Sequence, residues 1–206
     1  QVTSANNVTQ TETKAAYIVV SANCLPGLYG TYVDEFNDEY WMPFSGTPAY
    51  RVDKKLYFKN VPEGEWGTSE ANWPDATLGK TDTFSVTYEG YLIVPENDTY
   101  TIKLTSDDGS VLWLDEVLDS DPVFIDNWGT DGENGRGGGI VEKSNRTYLT
   151  EGRHPIKVKM TQNPSVALLH LHWNSTKFGK KLVDTFCHIP PEPAGDPFVE
   201  YIINEN

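Results

Sequence analysis

The sequence predicts an all-β protein, an antiparallel sandwich with long loops. Short segments with strand character recur along the chain, and clusters of Gly, Pro, Asn and Asp separate them. The 206 residues include 13 prolines and 17 glycines, which suit a loop-rich sheet protein. No window of the sequence shows a sustained helical period with helix caps. We therefore expect few or no helices.

Eight segments have the apolar alternation or the short apolar run of a strand. They are 29–36, 56–58, 84–92, 100–104, 111–114, 139–141, 154–160 and 166–173. The sandwich is expected to span 23–190. Residues 1–22 are expected to form an N-terminal extension, of which 16–20 could add a strand. A proline-rich exit precedes 191–206, which is predicted to be a C-terminal tail or linker.

The charge balance restricts the classes of partner. Lys and Arg number 16 against 30 Asp and Glu, which gives a net charge of -14. Nucleic-acid binding needs a basic face, so we expect no nucleic-acid partner. No apolar run approaches the length of a membrane span, and we expect no direct membrane insertion. An acidic surface suits a neutral partner such as a sugar, or a bound cation.

Two features favour an extracellular protein. Four Asn-x-Ser/Thr patterns are candidate glycosylation sites, at Asn7, Asn97, Asn145 and Asn174. Cys24 and Cys187 flank the predicted sandwich. If paired, they would close a loop of about 160 residues and contribute about 5 kcal/mol by the loop-entropy model. The alternative is two buried free thiols in a reducing compartment, which the glycosylation patterns disfavour.

Adjacent carboxylates at Asp107 and Asp108 are the main candidate for chemistry. With Gly109 they occupy a hairpin or short loop between two predicted strands. Two like charges side by side repel unless a cation lies between them, and Ca²⁺ with its six to eight oxygen ligands is the natural partner. The alternative is ordinary turn chemistry, because Asp and Gly both favour turns.

Other polar and aromatic motifs have weaker functional interpretations. The glycine-rich loop 126–139 lacks the Lys-Ser/Thr of a P-loop and the ligand spacing of an EF-hand, so we expect a mobile loop that could border a site. His170 and His172 share one face of a strand but have no third zinc ligand nearby, which predicts a solvated outer face. Three loop tryptophans could stack on a sugar ring or simply pack, namely Trp41, Trp66 and Trp73.

No motif indicates an enzyme. There is no Gly-x-Ser-x-Gly elbow, and the two cysteines are interpreted as structural. Carboxylates are abundant, but nothing in the sequence singles out a glycosidase pair. We therefore expect a non-catalytic domain.

Together, these motifs resemble the PA14 domain, a β-sandwich module of bacterial toxins, glycosidases and fungal adhesins. The resemblance covers the chain from about Leu25 to Phe186. The segments that carry it, in order, are Gly27–Tyr32, Phe84–Leu92, Pro95–Ile102, Thr105–Asp115, Ile125–Trp128, Arg153–Met160 and Leu169–Trp173.

Within that family the chain is similar to the flocculin and epithelial-adhesin domains of yeasts. Cys24-Leu-Pro and Cys187-His-Ile-Pro-Pro match the beginning and the end of those domains. The resemblance implies that Asp107 and Asp108 are joined by a cis peptide, hold Ca²⁺ and contact the sugar. Asn163 would act as a further ligand of both the ion and the sugar.

The resemblance also implies two backbone ligands of the ion, the carbonyls of Ser165 and Ala167. Pro164 and Ser165 depart from the residues expected after Asn163, and the loops that select the sugar do not align.

The resulting expectation is a calcium-dependent lectin domain of a secreted adhesin attached to a cell wall or cell surface. It would bind terminal sugars of cell-surface or cell-wall glycans through Ca²⁺. Two alternatives stay open: a non-catalytic accessory module of a glycosidase, and a structural or protein-interaction module. The identity of the sugar and the oligomeric state are left open.

Overall fold

The computed structural model describes residues 24–60, 83–129, 139–163 and 167–190. Every regular element in these ranges is a β-strand, which confirms the all-β prediction. The described part contains no helix long and apolar enough to cross a membrane. The predicted N-terminal extension, with its possible strand at 16–20, and the tail at 191–206 lie outside the described residues.

Thirteen strands form two antiparallel sheets in the described part of the chain. The eight-stranded sheet contains β1 (Leu25–Pro26), β2 (Leu28–Val33), β3 (Pro48–Asp53), β5 (Phe84–Val94), β7 (Ser110–Leu114), β8 (Ile125–Asn127), β10 (Gly152–Gln162) and β13 (Phe186–His188). The five-stranded sheet contains β4 (Tyr57–Asn60), β6 (Asp98–Asp107), β9 (Val141–Leu149), β11 (Ala167–Asn174) and β12 (Lys181–Leu182).

The main core lies between the two sheets and follows the strand alternation. On β10, Ile156, Val158 and Met160 are buried in this core, whereas Lys157 and Lys159 lie on the opposite face. Successive side chains of a strand point to opposite faces of the sheet, so the period of two separates the core from the outer face. Burial of these apolar side chains is the main stabilising contribution.

A second, smaller cluster covers the outer face of the eight-stranded sheet. It consists of Val111, Trp113 and Trp128, with Tyr40 and Phe44 packed against them. The Trp128 ring nitrogen donates to the Asp38 carbonyl at 3.0 Å, which fixes the loop between β2 and β3 over the sheet. Both faces of this sheet therefore carry packed side chains.

A disulfide joins the two ends of the described chain. Cys24 and Cys187 are bonded, with their Cα atoms 5.4 Å apart and 163 positions apart in sequence. The pairing is confirmed, and the alternative of two free thiols is wrong. The bond ties the residue before β1 to β13, the two strands that pair at one edge of the eight-stranded sheet.

Candidate functional site

The Asp107–Gly109 turn connects the two sheets. Asp107 ends β6 and pairs with Leu168 of β11 in the five-stranded sheet. Ser110 begins β7 and pairs with Met160 of β10 in the eight-stranded sheet. The turn is therefore a short crossing between layers, and the alternative prediction of a hairpin is wrong.

The backbone of the turn is closely packed. The Asp107–Asp108 peptide bond is cis, as the resemblance implied. A Cβ atom on Gly109 would lie 2.9 Å from the carbonyl oxygen of Trp128, closer than ordinary van der Waals contact allows. The Thr161 N–H donates to the Gly109 carbonyl at 2.9 Å. Glycine is thus required at this position by the close approach of Trp128.

Two hydrogen bonds hold Asp108 against the end of β10, and the buried side-chain amide of Gln162 makes one of them. The Asp108 N–H donates to Gln162 Oε1 at 3.0 Å, and the Asn163 N–H donates to Asp108 Oδ2 at 2.7 Å. Gln162 Nε2 donates in turn to the Asn163 carbonyl. Gln162 is fully buried and Asp108 is 5% exposed. This arrangement links the turn to the segment that carries Asn163.

A buried set of hydroxyl and amide groups lies on the other side of the turn. Ser106 Oγ donates to the Asp108 carbonyl at 2.7 Å and lies 2.6 Å from Ser110 Oγ. Asn127 Nδ2 donates to Ser106 Oγ at 2.9 Å and to the Val141 carbonyl at 3.1 Å. The three side chains are fully buried. Buried polar groups that are hydrogen-bonded in this way fix a single backbone position.

The electrostatics of the turn favour a cation. Burial, the adjacent charge of Asp108 and a hydrogen bond to the Asp108 carboxylate raise the pKa of Asp107 from its ordinary value of 3.8 to about 6. A cation bound between the two carboxylates would relieve their repulsion and take the place of the proton on Asp107.

The oxygen atoms at the turn suit Ca²⁺ better than they suit a metal that prefers nitrogen or sulfur ligands. The described residues contain no group of three or more His, Cys, Asp or Glu side chains placed to hold a metal. The turn instead offers two carboxylates next to an asparagine. Carboxylate, amide and carbonyl oxygens are the usual ligands of Ca²⁺.

The structure brings three of the five predicted metal ligands into one region. Asp107 and Asp108 are consecutive, the backbone N–H of Asn163 contacts Asp108, and Asn163 is exposed. Ala167 is buried at the start of β11, next to the residue that pairs with Asp107. Ser165 lies outside the described residues.

The predictions for the other motifs are met in part. His170 and His172 share one face of β11, but the Tyr57 ring stacks on His170 at 4.3 Å and both histidines are half-buried, so this face is not fully solvated. Burial lowers the pKa of His172. Trp41 is 53% exposed and packs edge-on against Tyr40 at 5.2 Å. Three predicted features lie outside the described residues, namely Trp66, Trp73 and most of the glycine-rich loop.

The glycosylation patterns differ in accessibility. Asn97 and Asn145 are exposed and Asn174 is half-buried, whereas Asn7 lies outside the described residues. The side-chain amide of Asn145 donates to the Phe124 carbonyl at 2.9 Å. Attachment of a glycan at Asn145 would therefore disturb an existing hydrogen bond.

The groups that support the turn were not predicted from the sequence, namely Ser106, Ser110, Asn127 and Gln162. A usable pattern existed for two of them. Ser106 lies in phase with the buried Ile102 and Leu104, and Gln162 lies in phase with Met160. A polar residue at a core-facing strand position beside two carboxylates indicates a hydrogen-bonded support.

Comparison with known proteins identifies the fold and the relatives. The family model described as the PA14 domain matches residues 44–185. The chain is 30% identical over 158 residues to the anti-sigma-I factor RsgI3 of Acetivibrio thermocellus, a match that covers 76% of this chain and 20% of the relative. The chain thus spans about a fifth of the length of this curated relative.

Solved structures with the same fold come from two kinds of protein. An anti-sigma factor domain-containing protein from Clostridium clariflavum is 21% identical with a TM-score of 0.57, over 82% of this chain and 50% of that one. The Epithelial Adhesin 6 A domain from Candida glabrata, in complex with Galb1-3GlcNAc, is 13% identical with a TM-score of 0.60, over 90% of this chain and 97% of that one. A PA14 sugar-binding domain from an RTX adhesin is 14% identical with a TM-score of 0.57, over 80% and 99%.

Proposed function

Because this chain belongs to the PA14 domain family, we propose that it is a carbohydrate-binding domain that holds Ca²⁺ at the Asp107–Asp108 turn. The observation that carries the proposal is the pair of adjacent carboxylates at the turn, where burial and the neighbouring charge of Asp108 raise the pKa of Asp107 to about 6. The sugar-bound adhesin domain with the same fold supports the carbohydrate part of the proposal.

The proposed ligands of the ion are the side chains of Asp107, Asp108 and Asn163 and the carbonyls of Ser165 and Ala167. When bound, Ca²⁺ would supply coordination positions that vicinal sugar hydroxyls can fill.

Side chains of the protein would contact the sugar directly and hold the turn in position. Carboxylate oxygens of Asp107 and Asp108 accept hydrogen bonds from the sugar hydroxyls, and such charge-assisted bonds are stronger than neutral ones. Gln162 and Ser106 hold the Asp108 backbone from opposite sides, so the carboxylates are positioned before the sugar arrives. Sugar binding then carries little entropic cost for ordering the turn.

We further propose an extracellular setting, because the disulfide between Cys24 and Cys187 suits an oxidising compartment. Attachment to a cell wall and N-glycosylation belong to the same proposal. If one domain binds a single sugar weakly, many copies on a surface would compensate by multivalency. Hydrolysis of aryl glycosides by the purified chain is expected to be nil.

A glycan array, run once with millimolar Ca²⁺ and once with EDTA, tests the proposal. We expect a set of glycans with a common terminal sugar to bind only when Ca²⁺ is present. Asp108→Asn should lose this set, because asparagine keeps the shape and the acceptor for Asn163 N–H but removes the charge. Glu116→Gln, at an exposed position, is the matched control. If no glycan requires Ca²⁺ for binding, the proposal is wrong.

A second candidate is the ligand-recognition part of a regulatory protein of the anti-sigma type. Its support is the 30% identity to the anti-sigma-I factor over 158 residues. Both candidates use the same binding site and differ in what the binding event controls. A sigma-factor-binding segment in the same polypeptide as this domain would favour the regulator, since an adhesin would carry none.

A further inference from the structure

A groove crosses the outer face of the eight-stranded sheet, at a distance from the Asp107–Asp108 turn. It consists of two adjoining cavities of about 300 and about 230 Å³ that share Glu89 and Lys157. Their combined size is in the range of small-molecule sites. Gln162, which contacts Asp108, is five positions from Lys157 on β10, or about 17 Å at about 3.3 Å per residue.

The floor of the groove is formed by outward-facing side chains of three neighbouring strands. Strand pairing places Glu89 of β5 between Tyr29 of β2 and Lys157 of β10, so one row contains an aromatic ring, a carboxylate and an ammonium group. Two positions further along the same strands, towards β13, Tyr91 of β5 pairs with Pro155 of β10. Side chains of loops and of the C-terminal strand complete the lining, namely Pro43, Phe44, Val117, Asp119, His188 and Ile189.

The charges in the groove balance one another. Lys157 Nζ lies 2.5 Å from Asp119, and Lys159 Nζ lies 2.8 Å from the same carboxylate. Lys159 Nζ also donates to the carbonyls of Tyr40 and Met42, both at 2.9 Å. Glu89 supplies the second negative charge. The groove therefore has no excess charge to attract an anion or a cation.

Glu89 provides an available hydrogen-bond acceptor. Its side chain is 57% exposed, and its carboxylate lies 4.0 Å from Lys157 Nζ, beyond hydrogen-bond distance. Beside it, the Tyr29 ring is held by stacking on Tyr50 at 5.6 Å. A fixed aromatic face next to a carboxylate and an ammonium group matches a ligand with an apolar ring face and several hydroxyls.

We propose that this groove is a second binding site, which takes a neutral saccharide of about two residues without a metal ion. The ring of Tyr29 packs against one sugar face, the Glu89 carboxylate accepts hydroxyl hydrogen bonds, and Lys157 donates. From Lys159 to Pro155 the floor extends for four positions, or about 13 Å, which accommodates a disaccharide. This site is independent of the calcium-dependent function proposed above.

Amide NMR spectra of the ¹⁵N-labelled domain in EDTA test this proposal. The probes are four neutral disaccharides, added one at a time at millimolar concentration: cellobiose, lactose, maltose and N,N′-diacetylchitobiose. We expect at least one of them to shift the amides of Glu89, Tyr91 and Lys157 and to leave that of Asp108 unchanged. If none of the four shifts these amides, or if the shifts centre on the turn, the proposal is overturned.

A charge-removing variant provides the second measurement. Glu89→Gln should bind the active disaccharide about tenfold more weakly, because a charge-assisted acceptor becomes a neutral one. It should leave the calcium-dependent glycan binding unchanged, so failure of one proposal is distinguishable from failure of the other. Glu116→Gln is again the matched control. Equal affinities for the wild-type chain and Glu89→Gln contradict the assignment.

Discussion

The amide oxygen of Gln162 accepts the backbone N–H of Asp108 at 3.0 Å, across 54 positions of sequence. Through its amide nitrogen, Gln162 also donates to the carbonyl of Asn163. One buried side chain thus connects the two segments that carry the proposed calcium ligands. The geometry of the turn depends on this residue although Gln162 is not itself a proposed ligand.

Gln162→Ala should weaken calcium binding about tenfold and lower the stability of the domain. The substitution leaves the buried Asp108 N–H without its acceptor, which costs about 1–3 kcal/mol. Isothermal titration with Ca²⁺ and urea unfolding measure the two effects. Unchanged calcium affinity in a folded Gln162→Ala variant would show that this residue does not position the turn.

Gly109→Ala should disturb the same turn from the opposite side. The added Cβ would lie 2.9 Å from the Trp128 carbonyl, so either the turn or the Trp128 backbone must move. We expect a lower melting temperature and weaker calcium binding. Gly179→Ala is the matched control, because a Cβ at that position meets nothing within 4 Å. If both variants have the melting temperature of the wild-type chain, the close packing at Gly109 has no energetic consequence.

The raised pKa of Asp107 predicts a pH effect on the calcium-free domain. In the folded chain this carboxyl binds its proton at about pH 6, whereas its ordinary pKa is 3.8. Between these values the folded state holds more protons than the unfolded state, so this group's contribution to stability increases as the pH falls from about 7 to about 4.

Urea unfolding in EDTA at about pH 5 and about pH 7 measures this contribution when the wild-type chain is compared with Asp107→Asn. The variant lacks the titrating carboxyl, so it should gain less stability on acidification than the wild-type chain does. Parallel changes in the two proteins would place the pKa of Asp107 near its ordinary value.

Reduction of the disulfide should strongly destabilise the domain. The Cys24–Cys187 bond closes a loop of 163 positions, and the loop-entropy model assigns about 5 kcal/mol to a loop of this length. A Cys24→Ser, Cys187→Ser variant should therefore melt well below the wild-type chain. A variant that melts within a few degrees of it would show that strand pairing alone holds the two ends together.

The sequence predicted the strands whose side chains alternate cleanly. On β5 and β10 buried apolar residues recur at every second position over much of the strand, and both were predicted, although shorter than observed. β9 was predicted only at its first residue, because this edge strand is largely exposed and carries polar residues on both faces. β3 was missed because a proline begins it and Asp53 occupies a buried position, where Tyr32 donates to its carboxylate at 2.8 Å.

The carboxylate pair could be found from sequence, whereas its supports could not. Adjacent aspartates before a glycine can be recognised directly in the amino-acid sequence. That β6 and β7 belong to different sheets depends on pairing with β11 and β10, more than 40 positions away. The role of Gln162 arises from the same long-range pairing. Asn127 reaches Ser106 across 21 positions through the pairing of β8 with β7, so no local pattern specifies its partner either.

The most direct test of the central claim is calorimetric titration of Ca²⁺ into the wild-type chain and into Asp107→Asn, with Glu116→Gln as control. We expect the wild-type chain and the control to bind a single ion at the turn, and Asp107→Asn to bind at least about tenfold more weakly, because a charged oxygen ligand is lost. Circular dichroism verifies that each variant is folded. Absence of calcium binding by the wild-type chain, or equal affinity in Asp107→Asn, would contradict the assignment of the Asp107–Asp108 turn as a calcium site.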